Sequence, residues 1–143
     1  MYPGFLKIIT IFLQHIRAMI FGTGIDIIEI DRIKQSIRKY SDRFEQKVFT
    51  KKEVDYCHSQ ADPVKHFAAR FSVKEAVLKC LGTGMTGGIF WKDIEVDRQE
   101  SGQPVLNLHG KGKELFYQLK LKRIHISITH DKNYAVAHAI AEK

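Results

Sequence analysis

Hydrophobic and polar positions alternate along this chain with two different periods. From Ile20 to Ile30 the residues are apolar and β-branched, interrupted by Gly22 and Gly24, the pattern of a short buried strand that approaches other backbone closely. The strand is predicted to end near Asp26. Ile30, Ile33, Ile37 and Tyr40 then recur at helical spacing while Arg32, Gln35, Arg38 and Lys39 fall on other faces, so a helix with a basic solvent side is expected. Phe44 to Tyr56 reads as mostly helical, with Thr50 and Glu53 forming a capping box that starts a new helix. After the turn at Asp62-Pro63, Phe67, Phe71, Leu78 and Leu81 share one stripe that Val73 and Val77 widen. This long helix is expected to stop at Gly82, before a loop carrying Gly84, Gly87 and Gly88. Beyond the loop, Ile94 and Val96, then Val105, Leu106 and Leu108, suggest two strands joined around Gly102-Gln103-Pro104. Lys111 to Lys122 is a basic helical segment. Ile124, Ile126 and Ile128 alternate with polar residues and lead through Asp131-Lys132-Asn133 into Tyr134 to Ile140, a terminal hairpin. The elements predict an α+β fold, an antiparallel sheet packed against a long helix.

Composition narrows the class. Hydrophobic residues at 44% and charged residues at 27% are those of a folded globular chain, and 143 residues suffice for one domain. We read residues 19–143 as that domain and 1–18 as an N-terminal extension outside the functional argument, with Met19 a candidate start. Its apolar run is too short to span a bilayer, and no membrane association is expected. With 23 Lys+Arg against 16 Asp+Glu, the formal charge of +7 favours anionic partners. Cys57 and Cys80 lack metal or disulfide spacing, which fits a reducing cytoplasm.

Candidate chemistry lies on the first strand and the long helix. Asp26 alone reads as a helix-capping aspartate. Arg70 and Lys74, like Glu75 and Lys79, stand four apart, and charge pairs of this kind usually form a solvated helix surface. Their company alters the balance: a carboxylate beside three cations, followed by a glycine loop, suits a metal–diphosphate complex. Gly82-Thr83-Gly84 follows a helix rather than preceding one, so it is no P-loop. His130 reads as either a phosphate-binding imidazole or a turn residue.

Three runs carry a resemblance. Ile20 to Ile33, with Gly22-Thr23-Gly24-Ile25-Asp26, resembles the first signature of the bacterial holo-acyl-carrier-protein synthases, a phosphopantetheinyl transferase family. Phe67 to Gly84, with Lys74-Glu75-Ala76, resembles their second, and Ile126-Ser127-Ile128-Thr129-His130 completes the order. The resemblance implies a phosphopantetheinyl-transferase-like homotrimer with sites between subunits. Its reaction transfers 4'-phosphopantetheine from coenzyme A to a serine of acyl carrier protein, releasing 3',5'-ADP. It further implies that Asp26 and Glu75 bind Mg2+, and that Arg70, Lys74 and Lys79 neutralise the diphosphate and the 3'-phosphate. Lys79 would stand with the two carboxylates among the catalytic groups. Gly82 would let backbone approach the cofactor, and His130 would complete the adenylate end from the adjacent subunit. The serine proton would pass to Glu75, to Asp26 through a water, or to another water, and that choice stays open. Arg32, Arg38, Arg43 and Phe44 would form the docking surface for an acidic carrier protein. One departure stands out. Relatives often carry a basic pair ahead of the long helix, where this chain has Asp62-Pro63-Val64 and then Lys65 and His66. A basic nucleic-acid-binding module is a second reading, but aromatic residues do not interleave with the basic stretches, and no nucleic-acid partner is expected. A third reading, a protein that binds a carrier without modifying it, requires Asp26 or Glu75 to be dispensable.

Overall fold

The computed structural model describes residues 19–143, and the readings made for residues 1–18 lie outside it. Strand β1 (Ile20–Glu29) pairs antiparallel with β5 (Tyr134–Glu142), which pairs antiparallel with β4 (Arg123–His130), giving a sheet of order β1-β5-β4. Against its inner face lies the long helix α4 (Pro63–Leu81). Proline at the first turn and Gly82 at the left-handed cap, φ 73°, delimit this helix.

Small residues decide how close the two layers come. Ala135, Ala137, Ala139 and Ala141 are buried along the inner face of β5, and Gly22 and Gly24 occupy the inner face of β1. A Cβ at either glycine would collide with helix backbone, that of Cys80 at Gly22 and those of Ala76 and Cys80 at Gly24. Asp26 follows on that same face, since side chains two apart on a strand point the same way. The close approach read from the glycines is therefore present. The strand does not end at Asp26, however: pairing continues to Glu29 opposite Tyr134, so Asp26 sits inside β1.

Helices α1 (Ile30–Tyr40), α2 (Asp42–Val48) and α3 (Lys51–His58) pack at one end of α4. Ile30, Ile33, Val48 and Phe49 join Phe67 and Ala68 in one apolar cluster. Phe49 adopts an extended conformation, which separates α2 from α3, and Thr50 caps α3 in a capping box with Glu53, as expected. Beside α3, β2 (Ile94–Arg98) and β3 (Pro104–Leu108) form a separate antiparallel hairpin, and α5 (Gly110–Gln118) follows it. That helix is shorter than the basic run predicts, because the chain turns at Lys120, where φ is 55°. Ile94, Val96, Val73 and Val77 build the second apolar cluster with Ile124 and the β5 alanines.

Among the described residues, no layer covers the outer face of the three-stranded sheet. Ile25 and Ile27 are each 63% exposed there, and Val136 lies opposite Ile27 in register. Among the described residues, no helix is long and apolar enough to cross a membrane.

Candidate active site

The carboxylates of Asp26 and Glu75 converge between β1 and α4. Lys79 Nζ donates to Asp26 Oδ1 at 2.9 Å and to the Ile25 carbonyl at 3.0 Å. Glu75 stands one turn before Lys79 on the same helix face. Burial and then the neighbouring negative charge of Asp26 hold the Glu75 carboxyl above its ordinary range, while Lys79 works in the opposite direction. Two neighbouring carboxylates, with the Lys79 ammonium donating to one of them, form a site short of positive charge. The helix-capping alternative for Asp26 fails, since Glu29 is the cap residue of α1. No group of three or more His, Cys, Asp or Glu side chains converges among the described residues. Any cation here would find two protein carboxylates and fill its remaining positions from ligand or solvent.

The other two cations of the expected set lie elsewhere. Arg70 is five residues before Glu75, which on a helix turns its side chain roughly 140° away. Lys74 corrects the sequence reading. It is 0% exposed, and its ammonium donates to Glu53 Oε2 at 2.9 Å, to the Trp91 carbonyl at 3.0 Å and to the Ile94 carbonyl. Burial lowers its proton affinity and Glu53 opposes that. With three donors taken by protein, Lys74 has none left for a phosphate. Equal spacing misled because α4 is covered on nearly every face, so its charged positions do not form one solvated stripe.

Arg70 opens instead into a cavity of about 190 Å³ shared with Tyr56, His66, Arg98 and His130. Its guanidinium stacks 4.0 Å from the Tyr56 ring centroid. It is 4% exposed, yet among the described residues its Nε has no hydrogen-bond partner. Arg98 Nη1 donates to the Tyr56 hydroxyl at 2.5 Å and its Nε to the Gly102 carbonyl at 3.0 Å. The His66 and His130 rings meet edge to face at 6.0 Å. Burial, then the charges of Arg70, His130 and Arg98, lower the proton affinity of His66. A buried donor without an acceptor, among several nitrogen groups, is chemically suited to receive an anion. Sequence reasoning found Arg70 and His130 but missed Tyr56 and Arg98. The available signal was the single arginine of the β2–β3 hairpin, Arg98, whose proximity only the tertiary fold supplies.

Gly82 ends α4 with its side toward open space, so its conformation alone accounts for glycine there. Arg32, Arg38 and Arg43 are exposed. Phe44 is half-buried, with its ring edge-on to Phe49 at 6.0 Å, so only part of it faces outward.

Comparison with known proteins identifies the family and the fold. The model of the 4'-phosphopantetheinyl transferase superfamily matches residues 22–139. A holo-[acyl-carrier-protein] synthase of Koribacter versatilis is 48% identical over 124 residues, which are 87% of this chain and 99% of that protein. The crystal structure of the Neisseria meningitidis holo-[acyl-carrier-protein] synthase superposes with a TM-score of 0.82 at 27% identity, covering 87% of this chain and all (100%) of that one. A Bacillus anthracis holo-(acyl-carrier-protein) synthase in complex with CoA (3',5'-ADP) superposes with a TM-score of 0.73 at 33% identity, over 88% and 99% of the two chains. Matched over most of its length in both sequence and fold, the chain belongs to the holo-[acyl-carrier-protein] synthase family of the 4'-phosphopantetheinyl transferase superfamily.

Proposed function

We propose that the protein transfers 4'-phosphopantetheine from coenzyme A to a serine of apo-acyl carrier protein, using Mg2+ at Asp26 and Glu75. The observation that carries this reading is the convergence of those two carboxylates beside Lys79. The donor set fits magnesium, which keeps an incomplete shell of hard protein oxygens and shares the rest with phosphates and water. When bound, the ion supplies charge neutralisation for the diphosphate.

The chain's own groups do the remaining work. Lys79 fixes the Asp26 carboxylate and is 51% exposed along its side chain, so its ammonium stays within reach of a diphosphate. The unpartnered Arg70 Nε, with Arg98, His66 and His130, receives the phosphorylated adenylate end. His66 and Arg98 thus take the part played in relatives by the basic pair before the long helix. The serine oxygen attacks the β-phosphorus, the new P–O bond forms as the diphosphate bridge breaks, and 3',5'-ADP departs. Glu75, Asp26 through a water, or a free water takes the serine proton. Positioning and charge neutralisation supply the rate.

The carboxylate pair and the cationic cavity face different sides of α4, and no residue lines both. A homotrimer in which each site joins the carboxylates of one copy to the cavity of the next accounts for that separation. The bare Ile25 and Ile27 face of the sheet provides the apolar surface for such assembly. Arg32, Arg38 and Arg43 then orient the acidic carrier protein, with the outward edge of Phe44 as its apolar contact. Free thiols at Cys57 and Cys80 suit a cytoplasmic protein. The deciding experiment is intact-mass measurement of apo-carrier protein after incubation with enzyme, coenzyme A and Mg2+. A gain equal to one phosphopantetheine is expected, and an unchanged mass refutes the activity.

A further inference from the structure

Arg70 and Lys74 stand on successive turns of α4, both almost wholly buried, within one apolar region. Two buried cations at this spacing repel each other, and the buried carboxylate that pairs with Lys74 is Glu53, 1% exposed. Every oxygen of Glu53 is occupied. Oε1 accepts from the Val96 amide at 2.9 Å, and Oε2 accepts from the Thr50 amide at 2.8 Å and from Lys74 Nζ at 2.9 Å. Lys74 is held in turn by two carbonyls, those of Trp91 and Ile94. One carboxylate therefore binds the start of α3, the body of α4 and the strand β2 together.

Those are the segments that carry the cationic cavity. Tyr56, whose ring supports the Arg70 guanidinium, lies one turn after Glu53 on α3. Arg98, which holds the Tyr56 hydroxyl, lies two residues after Val96 on β2. A buried arginine normally captures any carboxylate within reach, because pairing offsets the desolvation of both groups. Among the described residues Arg70 has captured none, and its Nε is left without a partner. We propose that Lys74 is a positioning residue: by neutralising Glu53 it withholds that carboxylate's charge from Arg70 and keeps the guanidinium open to an anionic ligand. This deepens the proposed function, since the ligand is the phosphorylated end of coenzyme A. Lys74 itself touches no part of it.

The test compares Lys74→Met with the charge-balanced pair Glu53→Gln and Lys74→Met in the full chain. Binding of 3',5'-ADP is measured by calorimetry, and KM for coenzyme A and for carrier protein by transfer kinetics. In the single variant Glu53 is freed to neutralise Arg70, so affinity for 3',5'-ADP falls roughly 10-fold to 100-fold, the weight of a charge-assisted contact. KM for coenzyme A rises with it, while KM for carrier protein holds. In the double variant no carboxylate remains to capture Arg70, and 3',5'-ADP affinity returns to near the wild-type value. A residue that contacts phosphate directly would not be rescued this way, nor would one needed only for packing. Equal loss in both variants overturns the proposal, and so does wild-type affinity in the single one. Should Lys74→Met not fold, the double variant decides alone: retained affinity supports the proposal, and lost affinity or lost folding overturns it. Wild-type protein that binds 3',5'-ADP but transfers nothing would sink the proposed activity and leave this comparison standing.

Discussion

Replacing Gly24 with alanine tests whether the β1–α4 contact holds the carboxylates in register. The added Cβ would lie 2.7 Å from the Cys80 amide nitrogen and closer still to the Ala76 carbonyl oxygen, whereas ordinary contacts fall at 3.4–4 Å. Both obstacles are helix backbone, which cannot rotate aside as a side chain would. Strand and helix must therefore separate by at least 0.7 Å (3.4 − 2.7) on the nitrogen contact alone. Overpacking of this order costs about 1–3 kcal/mol. For a domain of this size, 3 kcal/mol lowers Tm by about 10 °C. Activity should suffer more than stability, because Asp26 is the next inward residue on the strand and Glu75 adjoins the obstructing Ala76. A misplacement near 1 Å at a reacting site costs on the order of 100-fold. Thermal melting and transfer kinetics on the same preparation check both. A Gly24→Ala variant with unchanged Tm and turnover would show that the layers tolerate a methyl group, and the argument from close approach would fail.

Further outcomes follow from the site and its surroundings. Asp26→Asn and Glu75→Gln are each expected to reduce transfer to background with the fold intact by circular dichroism, and normal turnover in either removes the metal assignment. Glu75 also makes stability depend on pH in a definite direction. Its folded-state proton affinity is raised, so its stabilising contribution is complete below the unfolded carboxylate pKa and is lost as pH rises through the raised value. Without divalent ions Glu75→Gln should therefore melt above wild type at pH about 7.5, and the gap should close below pH about 4. A gap that widens in acid contradicts the sign. Arg32→Glu and Arg43→Glu should raise KM for carrier protein about tenfold while leaving that for coenzyme A within about twofold, and equal effects on both substrates count against the docking surface. Ile27→Asp places a charge on the bare sheet face and should shift the sedimentation coefficient to that of a single chain, whereas an unchanged value argues against assembly through that face.

Much of this architecture is legible in the chain itself. The helical stripe from Phe67 to Leu81 and the alternation at Ile124, Ile126 and Ile128 are signals of period, and the structure returns them as α4 and β4. Thr50 and Glu53 announce the start of α3 because capping is local chemistry. Asp26 and Glu75, distant in sequence, were joined only through the family resemblance, and no spacing rule connects them. Lys74 shows where pattern reading fails physically. The interval of four between charges assumes a helix with a wet side, and α4 has sheet, hairpin and helices around it. Its buried ammonium depends on Glu53, whose part in a capping box gives no hint that the same carboxylate crosses to another helix and a strand. The pairing of Arg98 with Tyr56 is tertiary in the same sense, 42 residues apart in the chain.

The enclosure of α4 also bears on how such an enzyme can diverge. Groups of chemical consequence sit on a spindle with little room to drift, whereas α1 and α2 meet the core through a few residues such as Ile33 and Val48 and turn most of their surface outward. On the docking surface proposed for that outer shell, new carrier preferences would accumulate while the inner spindle stays untouched, so acceptor range and reaction chemistry would be free to change at different rates.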